Sequence, residues 1–564
     1  MPKTIPFDKT LACALVALVV GFFGSTAHAA WGDPVVGARG MTVSAHPLAS
    51  EAGRAMLEAG GNAVDAAVAM SFVIAVVEPW SSGLGGGAFA VVHIGGETLS
   101  FDMREMAPAA ASRDMFVKDG QVVEGDSIWT MRAAGIPGLV RGMAALHARF
   151  GKLTFAATVG PALQLARDGF VVSSRMHGAI AQVAPNMNPA AKAVFVRDGA
   201  PIAEGQLIVQ QDLAETLGRV AATAGEDFYV GETARRLESA VRAEGGTWTA
   251  ADLAAYRVKE RPVVTGTYRG HTLVSMGPPS SGGLLLVQML SVLGLLPVHP
   301  WRGADAVHQL AEVMKRAFAM RAVGLGDPDF VPVDWANFIG TETIARLTRE
   351  VGRAKKATRA DRISKLKVKP QERHHTSHLA VVTANGDGVA ITQTINLRFG
   401  NGHVAEGTGV VLNNEMDDFS AKPGVPNAFG LVGDEGNAIA AGKRPLSSMT
   451  PTLVIQDGKV VGAFGSPGGS RIITATLQTI LRVIDGGMNA REALGAERIH
   501  HQWYPDEIQF EGDALSPETQ KALTNRGHKL HSVGMMGNAM VIWRRGALLE
   551  GAADPRGEGA AVAW

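Results

Sequence analysis

Two threonines eighteen positions apart carry the features of this sequence most readily connected with chemistry. Thr376 follows Gln371-Glu372-Arg373-His374-His375 and opens a strand pattern, and Thr394 lies near the end of the next strand pattern, before Asn396. A chain that cuts its own backbone before Thr376 exposes a threonine with both a hydroxyl and a free α-amine. These two groups can serve as nucleophile and base in one residue.

A predicted hairpin brings the two threonines together. Its first strand is Ser377 to Thr383 and its second strand is Val389 to Ile395. The turn between them is Ala384-Asn385-Gly386-Asp387-Gly388. A two-residue Asn385-Gly386 turn sets Thr394 opposite Ser377, beside Thr376, and a longer loop shifts this register by a residue or two. Either register leaves the threonines about one strand spacing apart, on the order of 5 Å.

A second hairpin is predicted around the turn Asp457-Gly458, with strands Thr452 to Gln456 and Lys459 to Phe464. If its ladder extends far enough, Ser447 faces Gly468. A helical pattern of apolar residues begins after Gly468-Gly469 and ends before Gly486-Gly487. Glycines at a helix start expose backbone N–H groups where the helix dipole is positive, as an oxyanion hole requires.

Upstream, the glycine cluster Gly83 to Gly87 follows a predicted helix, Ala63 to Val77, and precedes a predicted strand, Ala88 to Ile94. A phosphate-binding loop has the order strand, glycines, helix, so the cluster indicates close backbone packing instead. After the turn Gly95-Gly96, the return strand Thr98 to Met103 ends at Arg104. The basic segment Arg346 to Lys369 is predicted to be a solvated helix or a loose linker.

Composition excludes several classes of function. Lys and Arg together number 53, and Asp and Glu together also number 53, so the formal net charge is zero. This balance indicates neither a nucleic-acid-binding surface nor a polybasic membrane-binding surface. Residues 1–29 resemble a signal peptide, with Lys3 and Lys9 before an apolar stretch and Ala27-His28-Ala29 as the cleavage site. The single cysteine, Cys13, lies inside this segment. We therefore expect an exported, periplasmic protein without disulfides and without a membrane anchor after cleavage.

At this point the residues resemble the γ-glutamyltransferase (glutathione hydrolase) family of N-terminal-nucleophile hydrolases, over nearly the whole mature chain. The motifs that carry the resemblance are Phe101 to Pro108, Leu412 to Gly424, Lys443 to Met449, His500 to Trp503 and Asp554 to Arg556, together with Thr376. The resemblance implies an α/β (α+β) four-layer αββα fold, one interwoven domain made from two autoprocessed chains. The large subunit is then 30–375 and the small, catalytic subunit 376–564, and the two form a heterodimer.

The resemblance also implies residue roles and small-molecule substrates, with no cofactor and no metal. Thr376 attacks the carbonyl of His375 during self-cleavage and later the γ-glutamyl donor, such as glutathione, and Thr394 orients it. Gly468 and Gly469 stabilise the oxyanion. The implied substrate-binding residues are Arg104, Ser447 and Ser448 for the donor's α-carboxylate, and Asp418, Glu415 and Asn396 for its ammonium. The γ-glutamyl group then passes to water, an amino acid or a dipeptide.

Some residues depart from the commoner family pattern or suggest other chemistry. Ser377 stands where a threonine is more usual, and Leu379 where an aromatic residue is. Arg398 replaces a small polar residue, and Phe429 replaces a tyrosine. Arg398 could alter acceptor preference, although a surface role is favoured. A metal site at His374, His375 and His378 is disfavoured, because the stretch is predicted to be loop and strand, where an i,i+4 histidine pair does not converge.

Three alternatives remain from the sequence. A cephalosporin or glutaryl acylase shares the fold, but its donor lacks an α-ammonium and leaves Asp418 without a partner. A serine hydrolase based on Ser466 lacks the first glycine of a nucleophile elbow. A non-catalytic exported protein that binds γ-glutamyl peptides is the third, and the presence of Thr376, Thr394 and both glycines disfavours it.

Overall fold

The structure is a computed structural model that describes residues 32–297, 303–364, 376–422, 424–431 and 433–564. The predicted signal peptide, Cys13, His374 and His375 lie outside these residues. The subunit boundaries therefore stay predictions.

Two seven-stranded sheets form the centre of the molecule. In chain order their strands are β1 (Val35–Gly37), β2 (Gly40–Ser44), β3 (Gly87–Ile94), β4 (Glu97–Met103), β5 (Lys259–Arg261), β6 (Val263–Tyr268), β7 (His271–Met276), β8 (Ser377–Thr383), β9 (Gly388–Thr394), β10 (Thr452–Gln456), β11 (Lys459–Gly465), β12 (Met540–Arg545), β13 (Leu548–Ala553) and β14 (Ala560–Ala563). The first sheet has the order β1-β13-β12-β11-β10-β7-β6 and the second has the order β5-β4-β3-β9-β8-β2-β14. Neighbouring strands in both sheets pair antiparallel.

Helices cover the outer face of each sheet. The longer ones are α1 (Pro47–Glu58), α2 (Ala63–Val77), α3 (Leu139–Phe150), α4 (Phe155–Asp168), α5 (Ser174–Val183), α6 (Gln211–Ala222), α7 (Glu232–Ala243), α8 (Gly282–Gly294), α9 (Ala304–Arg321), α10 (Thr341–Arg353), α11 (Arg471–Ile484) and α12 (Pro517–Asn525). Helices α2 and α3 pack on the second sheet, and α8 and α11 pack on the first. The inner faces of the two sheets pack on each other. This is the predicted four-layer αββα fold.

Helix α2 illustrates why these layers form. Its sequence is apolar on every side and all of its residues are buried, as expected for a helix enclosed between a sheet and other helices. Asn62 caps its start by accepting from the backbone N–H groups of Val64 and Asp65, at 2.9 and 3.1 Å. The Asp65 side chain accepts from the Asn62 N–H, which completes a capping box.

Contact between the sheets determines the surroundings of His378. A Cβ atom at Gly465 of β11 would lie 2.1 Å from Cε1 of this histidine, so only glycine leaves room for the ring. The ring Nδ1 hydrogen-bonds to Thr392 Oγ1 at 2.9 Å, and burial lowers the pKa of His378 to about 3. His378 is an interior residue between the sheets.

Both sheets combine strands from distant parts of the chain. In the second sheet, β3 and β2 from the first hundred residues flank the pair β9 and β8 from beyond residue 376. Neither half of the chain can complete a sheet alone, so the molecule is one interwoven domain.

The described part of the basic segment 346–369 is more ordered than a loose linker. Helix α10 includes its beginning and buries Ile344, Leu347 and Val351 along one edge. Within the described ranges, the helices all fall short of the length and apolar character that crossing a bilayer requires.

Candidate active site

The hairpin of β8 and β9 positions Thr376 beside Thr394. Its turn has four residues, 384–387, and the register pairs Ser377 with Gln393. The pairing expected from a two-residue turn is therefore wrong by one residue, in the direction that a longer loop produces. The observed register puts Thr376, the residue before β8, opposite Thr394 on the neighbouring strand, and both residues line one cavity.

Glycines allow the backbone around Thr394 to pack closely. A Cβ atom on Gly86 would lie 2.0 Å from the Thr394 carbonyl oxygen, so the cluster Gly83 to Gly87 serves the close packing that its sequence context indicates. The Thr394 Oγ1 accepts from the backbone N–H of Asn396 at 2.8 Å. Asn396 adopts φ 75° and donates through Nδ2 to the carbonyl of Asn414 at 2.9 Å.

The second hairpin differs from its expected register. A bulge between Val454 and Ile455 shifts the pairing, and the ladder ends at Thr452, which follows Pro451. Proline has no N–H to continue a ladder. Ser447 instead forms a parallel bridge with Ser280, so the expected pairing of Ser447 with Gly468 is wrong. The serine still reaches the cavity, through a different neighbour.

Gly468 and Gly469 form the entry to helix α11. Their φ values are 133° and 57°, conformations that residues with a Cβ rarely adopt. Gly469 lines the cavity that contains Thr376 and Thr394, and Gly468 lines a neighbouring cavity that Thr376 also borders. The glycines therefore lie beside the threonine hydroxyl, at the positive end of a 14-residue helix.

The cavity at Thr376 has a volume of about 20 Å³, room for about one water. Its described lining consists of Arg104, Arg321, Thr376, Thr394, Asn396, Glu415, Asp418, Phe429, Leu431, Ser447, Ser448, Met449, Gly469 and Ile472. Nine of the ten site residues expected from the sequence thus share one cavity, and Gly468 lies in the adjacent one.

Arg104 is the most heavily paired residue of this cavity. It is 1% exposed and its guanidinium contacts the carboxylates of Asp418 and Glu415 directly. Glu105 Oε2 lies 3.6 Å from its Nη1, and its Nε donates to the Pro445 carbonyl at 3.2 Å. These carboxylates outweigh the effect of burial and raise the pKa of Arg104, so the cation persists at all working pH values.

Glu105 and Glu415 are two buried carboxyl groups that both lie against the Arg104 guanidinium. Two adjacent buried carboxylates repel each other, which favours a state in which one of them holds a proton. Burial raises the pKa of Glu105 to about 7 and raises the pKa of Glu415 as well, while Arg104 opposes both shifts. The pair therefore carries about one negative charge.

Arg321 is a residue of this cavity that the sequence did not indicate. It ends helix α9 and is 5% exposed, with Nε donating to Ser281 Oγ at 3.0 Å and Nη2 to Ser448 Oγ at 3.4 Å. Burial, with a smaller contribution from Arg104, lowers the pKa of Arg321 to about 10. The signal that could have found it is a cation among the buried apolar residues of a helix, Ala317, Phe318, Ala319 and Ala322.

Residues 424–430 form one side of the cavity, which Phe429 lines. Asn427 donates through Nδ2 to Asp418 Oδ1 at 3.1 Å, and the backbone N–H of Ala428 donates to Asp417 Oδ2 at 2.9 Å. Phe429 is 4% exposed and packs with Leu397. Without a tyrosine hydroxyl, this ring holds its place by apolar contact.

One group of metal-capable side chains occurs among the described residues, at His308, Glu312 and His528. The Nδ1 of His308 bonds to the Nε2 of His528 at 2.7 Å, and burial with His308 nearby lowers the pKa of His528 to about 3. Lys315 and Arg316 lie within salt-bridge distance of Glu312. Two cations beside the carboxylate oppose metal binding, so we interpret the group as a structural hydrogen-bond cluster.

Comparison with known proteins supplies the context for this site. The family model described as Gamma-glutamyltranspeptidase matches residues 49–564. The glutathione hydrolase proenzyme of Escherichia coli (strain K12) is 42% identical over 533 residues, 93% of this chain and 91% of that protein. The acylase ACY 1 proenzyme of Pseudomonas sp. (strain V22) is 34% identical over 548 residues, 94% of each. The crystal structure of cephalosporin acylase from Bacillus halodurans matches with a TM-score of 0.83 and 26% identity, over 96% of this chain and 98% of that chain.

The αββα fold, with a threonine directly before a central strand, defines an N-terminal-nucleophile hydrolase. Within that class, the chain belongs to the gamma-glutamyltranspeptidase family. All ten site residues lie inside the matched range.

Proposed function

We propose that this protein is an autoprocessing γ-glutamyltransferase and glutathione hydrolase. It cleaves the γ-glutamyl amide bond of glutathione and related donors and transfers the γ-glutamyl group to water or to an amino acid or dipeptide. The observation that carries this proposal is the single cavity in which Thr376 and Thr394 meet Arg104 and Asp418. Membership of the gamma-glutamyltranspeptidase family supports it.

Processing generates the nucleophile. The Thr376 hydroxyl attacks the carbonyl carbon of His375, the peptide C–N bond breaks, and an ester forms that water then opens. The products are a large subunit, 30–375, and a small subunit, 376–564, which stay together because each sheet contains strands of both. Thr376 then has a free α-amine, whose ordinary pKa of about 7.7–8.0 suits a general base near neutral pH.

The charges of the cavity match the donor's α-amino acid end. Arg104 and Arg321 carry two positive charges, and they face Asp418 and the pair Glu415 and Glu105, in which one proton offsets one of the two negative charges. A neutral cavity accepts a neutral zwitterion with little net change in charge. The donor's carboxylate takes the Arg104 guanidinium, with Ser447 and Ser448 as hydroxyl donors, and its ammonium takes Asp418.

This binding mode replaces the direct contact between Arg104 and Asp418. Each residue exchanges one charged partner for another, so neither is left buried without a counter-charge. Asn396 and Glu415, next to Asp418 in the cavity, complete the surroundings of the ammonium.

Acyl transfer then proceeds at Thr376. Its Oγ attacks the γ-carbonyl carbon while the α-amine accepts the hydroxyl proton, and Thr394 keeps the hydroxyl in position. The oxyanion is stabilised by backbone N–H groups at Gly468 and Gly469, each typically worth about 2.7–4 kcal/mol of barrier in such sites. The C–N bond breaks, and the proton passes to the leaving amine. Water or an amine attacks the ester and restores the threonine.

A cephalosporin or glutaryl acylase is the second candidate, and the match to the Bacillus halodurans cephalosporin acylase favours it. A glutaryl group carries a carboxylate but no ammonium. It would take Arg104 from Asp418 and supply nothing to the aspartate in return, which is costly in a buried site. The higher identity to the glutathione hydrolase proenzyme of E. coli also supports the γ-glutamyl donor.

The test combines mass and turnover. Protein purified from a periplasmic extract is expected to give two fragments, starting near Ala30 and at Thr376, by intact mass and N-terminal sequencing. It is expected to release p-nitroaniline from γ-glutamyl-p-nitroanilide far faster than from the glutaryl anilide. A stable single chain that binds γ-glutamyl peptides without turnover contradicts the proposal and favours a binding protein. Faster glutaryl turnover favours the acylase.

A further inference from the structure

A second cavity, of about 200 Å³, borders Thr376 on the side away from Arg104. Thr376 lines both cavities, Gly469 lines only the first and Gly468 only the second. The nucleophile and the oxyanion glycines therefore stand between two spaces. In the proposed function, the γ-glutamyl group occupies the first space, so the leaving group departs, and the acceptor amine arrives, through the second.

The second cavity is strongly cationic. Among the described residues, its charged lining consists of four arginines, Arg175, Arg398, Arg471 and Arg556, and one glutamate, Glu78. Burial raises the pKa of Glu78, and its carboxyl group accepts a hydrogen bond from Ser377 Oγ at 2.7 Å. Cations therefore outnumber acidic groups along the described lining of the cavity that Thr376 borders.

Two of the four arginines have structural roles that occupy them. Arg556 is bound by Glu511, at 2.8 and 2.6 Å, and by Asp554 at 3.0 Å. Arg471 begins helix α11 next to the oxyanion glycines, and its Nη2 donates to Gln509 Oε1 at 2.8 Å. Arg471 therefore stabilises the turn at the oxyanion glycines, and Arg556 stabilises the C-terminal part of the chain.

The other two arginines lie together along helix α5. Arg175 is in its first turn, and its Nη1 donates to the Arg556 carbonyl at 3.0 Å. Arg398 follows the β9 strand, and its Nη1 donates to Gln182 Oε1, two helical turns after Arg175, at 2.5 Å. Burial, with a smaller contribution from Arg175, lowers the pKa of Arg398 to about 10. Both arginines line the same cavity.

We propose that Arg398 and Arg175 bind the C-terminal carboxylate of the leaving group and of the acceptor, and so select amino acids and peptides with a free carboxylate. This inference rests on the proposed function. A guanidinium donates two parallel hydrogen bonds to a carboxylate, and two guanidinium groups hold it in a fixed direction. Met535, 71% exposed at the same cavity, supplies a flexible apolar contact for the acceptor's side chain.

In the transfer step, the bound acceptor's amine nitrogen bonds to the γ-carbonyl carbon of the ester. The C–O bond to Thr376 breaks, and the amine proton passes to Thr376 Oγ by way of the α-amine. A carboxylate held at Arg398 directs the amine toward the ester, so it lowers the acceptor's KM.

The experiment compares two acceptors that differ only in charge, glycylglycine and its C-terminal amide, with γ-glutamyl-p-nitroanilide as donor and the transfer products measured by mass. The readout is the ratio of kcat/KM for glycylglycine to kcat/KM for the amide. We expect wild type to favour glycylglycine and Arg398→Gln to reduce the ratio at least about tenfold, the usual size of a lost charge-assisted hydrogen bond. Arg398→Lys is expected to fall between them. Arg349→Gln, an exposed arginine of α10, is the matched control and keeps the wild-type ratio.

Structural damage lowers both rates together and leaves the ratio unchanged, so an unchanged ratio in Arg398→Gln overturns the inference. Should Arg398→Gln fail to process, Arg175→Gln carries the same expectation. Wild type that releases p-nitroaniline but does not prefer glycylglycine overturns this inference alone. Wild type that releases no p-nitroaniline overturns the proposed function and this inference with it.

Discussion

Thr376 separates two cavities that differ in size, charge balance and exposure. On the donor side, Arg104 is 1% exposed and lies against three carboxyl groups, around a space of about 20 Å³. On the other side, four arginines and one glutamate of the described chain border about 200 Å³. The lining of the donor side is mostly buried and carries both signs of charge, whereas the lining of the other side includes the exposed residues Arg175 and Met535 and is mostly cationic.

This difference separates two kinds of selection. A buried, balanced cavity discriminates strongly, because a donor that lacks either charge leaves a buried group without a partner. An open cationic cavity attracts any carboxylate and tolerates varied side chains. The two sides thus predict strict selection of the donor and broad selection of the acceptor, and variants can be placed on one side or the other to test this.

The largest effect is expected at the residue common to both sides. Thr376→Ala removes the hydroxyl for self-cleavage and for acyl transfer, so intact mass should give one uncut chain without turnover. Ser466→Ala is the control, because the Ser466 hydroxyl is buried and donates to the Pro467 carbonyl at 2.7 Å. Cleavage and turnover that survive in Thr376→Ala, or vanish in Ser466→Ala, would transfer the nucleophile's role to the serine.

Next in size is the donor side. Arg104→Gln leaves Asp418 and Glu415 without their cation, which typically costs about 3–5 kcal/mol for a buried pair, and we expect kcat/KM for the donor to fall at least about a hundredfold. Arg104→Lys should recover little, because an ammonium cannot replace the fork geometry. The acceptor ratio of glycylglycine to its amide should stay at the wild-type value in any residual activity. A change in that ratio would contradict the separation of the two sides.

An effect of about the same size is expected at the boundary between the cavities. Gly469→Ala forces an L-residue into φ 57° beside the nucleophile, and we expect kcat to fall by about 10²–10³ with KM little changed. Gly487→Ala is the matched control, at φ 62° near the other end of α11, where an added Cβ meets nothing within 4 Å. Gly487→Ala measures the effect of backbone strain alone, which we expect to lower the free energy of unfolding by about 1–2 kcal/mol. Equal losses of kcat in both variants would remove the oxyanion role.

Sequence reasoning predicted local geometry well and distant pairing less well. Strands Ser377–Thr383 and Thr452–Gln456 and helix Ala63–Val77 have the bounds that their patterns indicate, because alternation, turn residues and caps are local signals. The approach of Thr376 to Thr394 followed from a short hairpin, where an error of one residue in the turn moves the partner by only one position.

The errors arose where the partner lies far along the chain. Ser447 pairs with Ser280, about 170 residues away, and no hairpin arithmetic can find that neighbour. Arg321 enters the cavity from a helix that precedes Thr376 by more than fifty residues, and its role depends on how that helix packs on helix α8. The resemblance to a family identified the ten site residues that these tertiary contacts bring together, but it did not identify Arg321.

Arg321 offers the next test of the donor side. Because its Nη2 approaches Ser448 Oγ at 3.4 Å, it orients that hydroxyl toward a donor's carboxylate and adds positive charge behind it. Arg321→Gln should raise KM for γ-glutamyl-p-nitroanilide roughly tenfold, the size of one charge-assisted contact, with kcat less affected. Arg316→Gln, on the same helix but bonded to Glu312 and Glu350, is expected to lower stability without raising KM. The same KM in Arg321→Gln and wild type would leave the donor's carboxylate to Arg104 and the serines.

The smallest effect is expected on the pH dependence of stability, through the proton that Glu105 holds beside the donor cavity. Burial raises the pKa of Glu105 to about 7, whereas in the unfolded chain the group titrates near its ordinary value of about 4.3. Between these values the folded protein holds a proton that the unfolded chain has released. This contribution to stability is therefore full below pH 4.3 and is lost as pH rises toward 7. In Glu105→Gln, the amide keeps the size of the side chain but does not titrate. Its melting temperature, followed from pH 4.5 to 7.5, should thus decrease less with rising pH than that of wild type or of the exposed control Glu124→Gln. Parallel curves for all three proteins would mean that Glu105 is ionised throughout, and the neutral donor cavity would have to be abandoned.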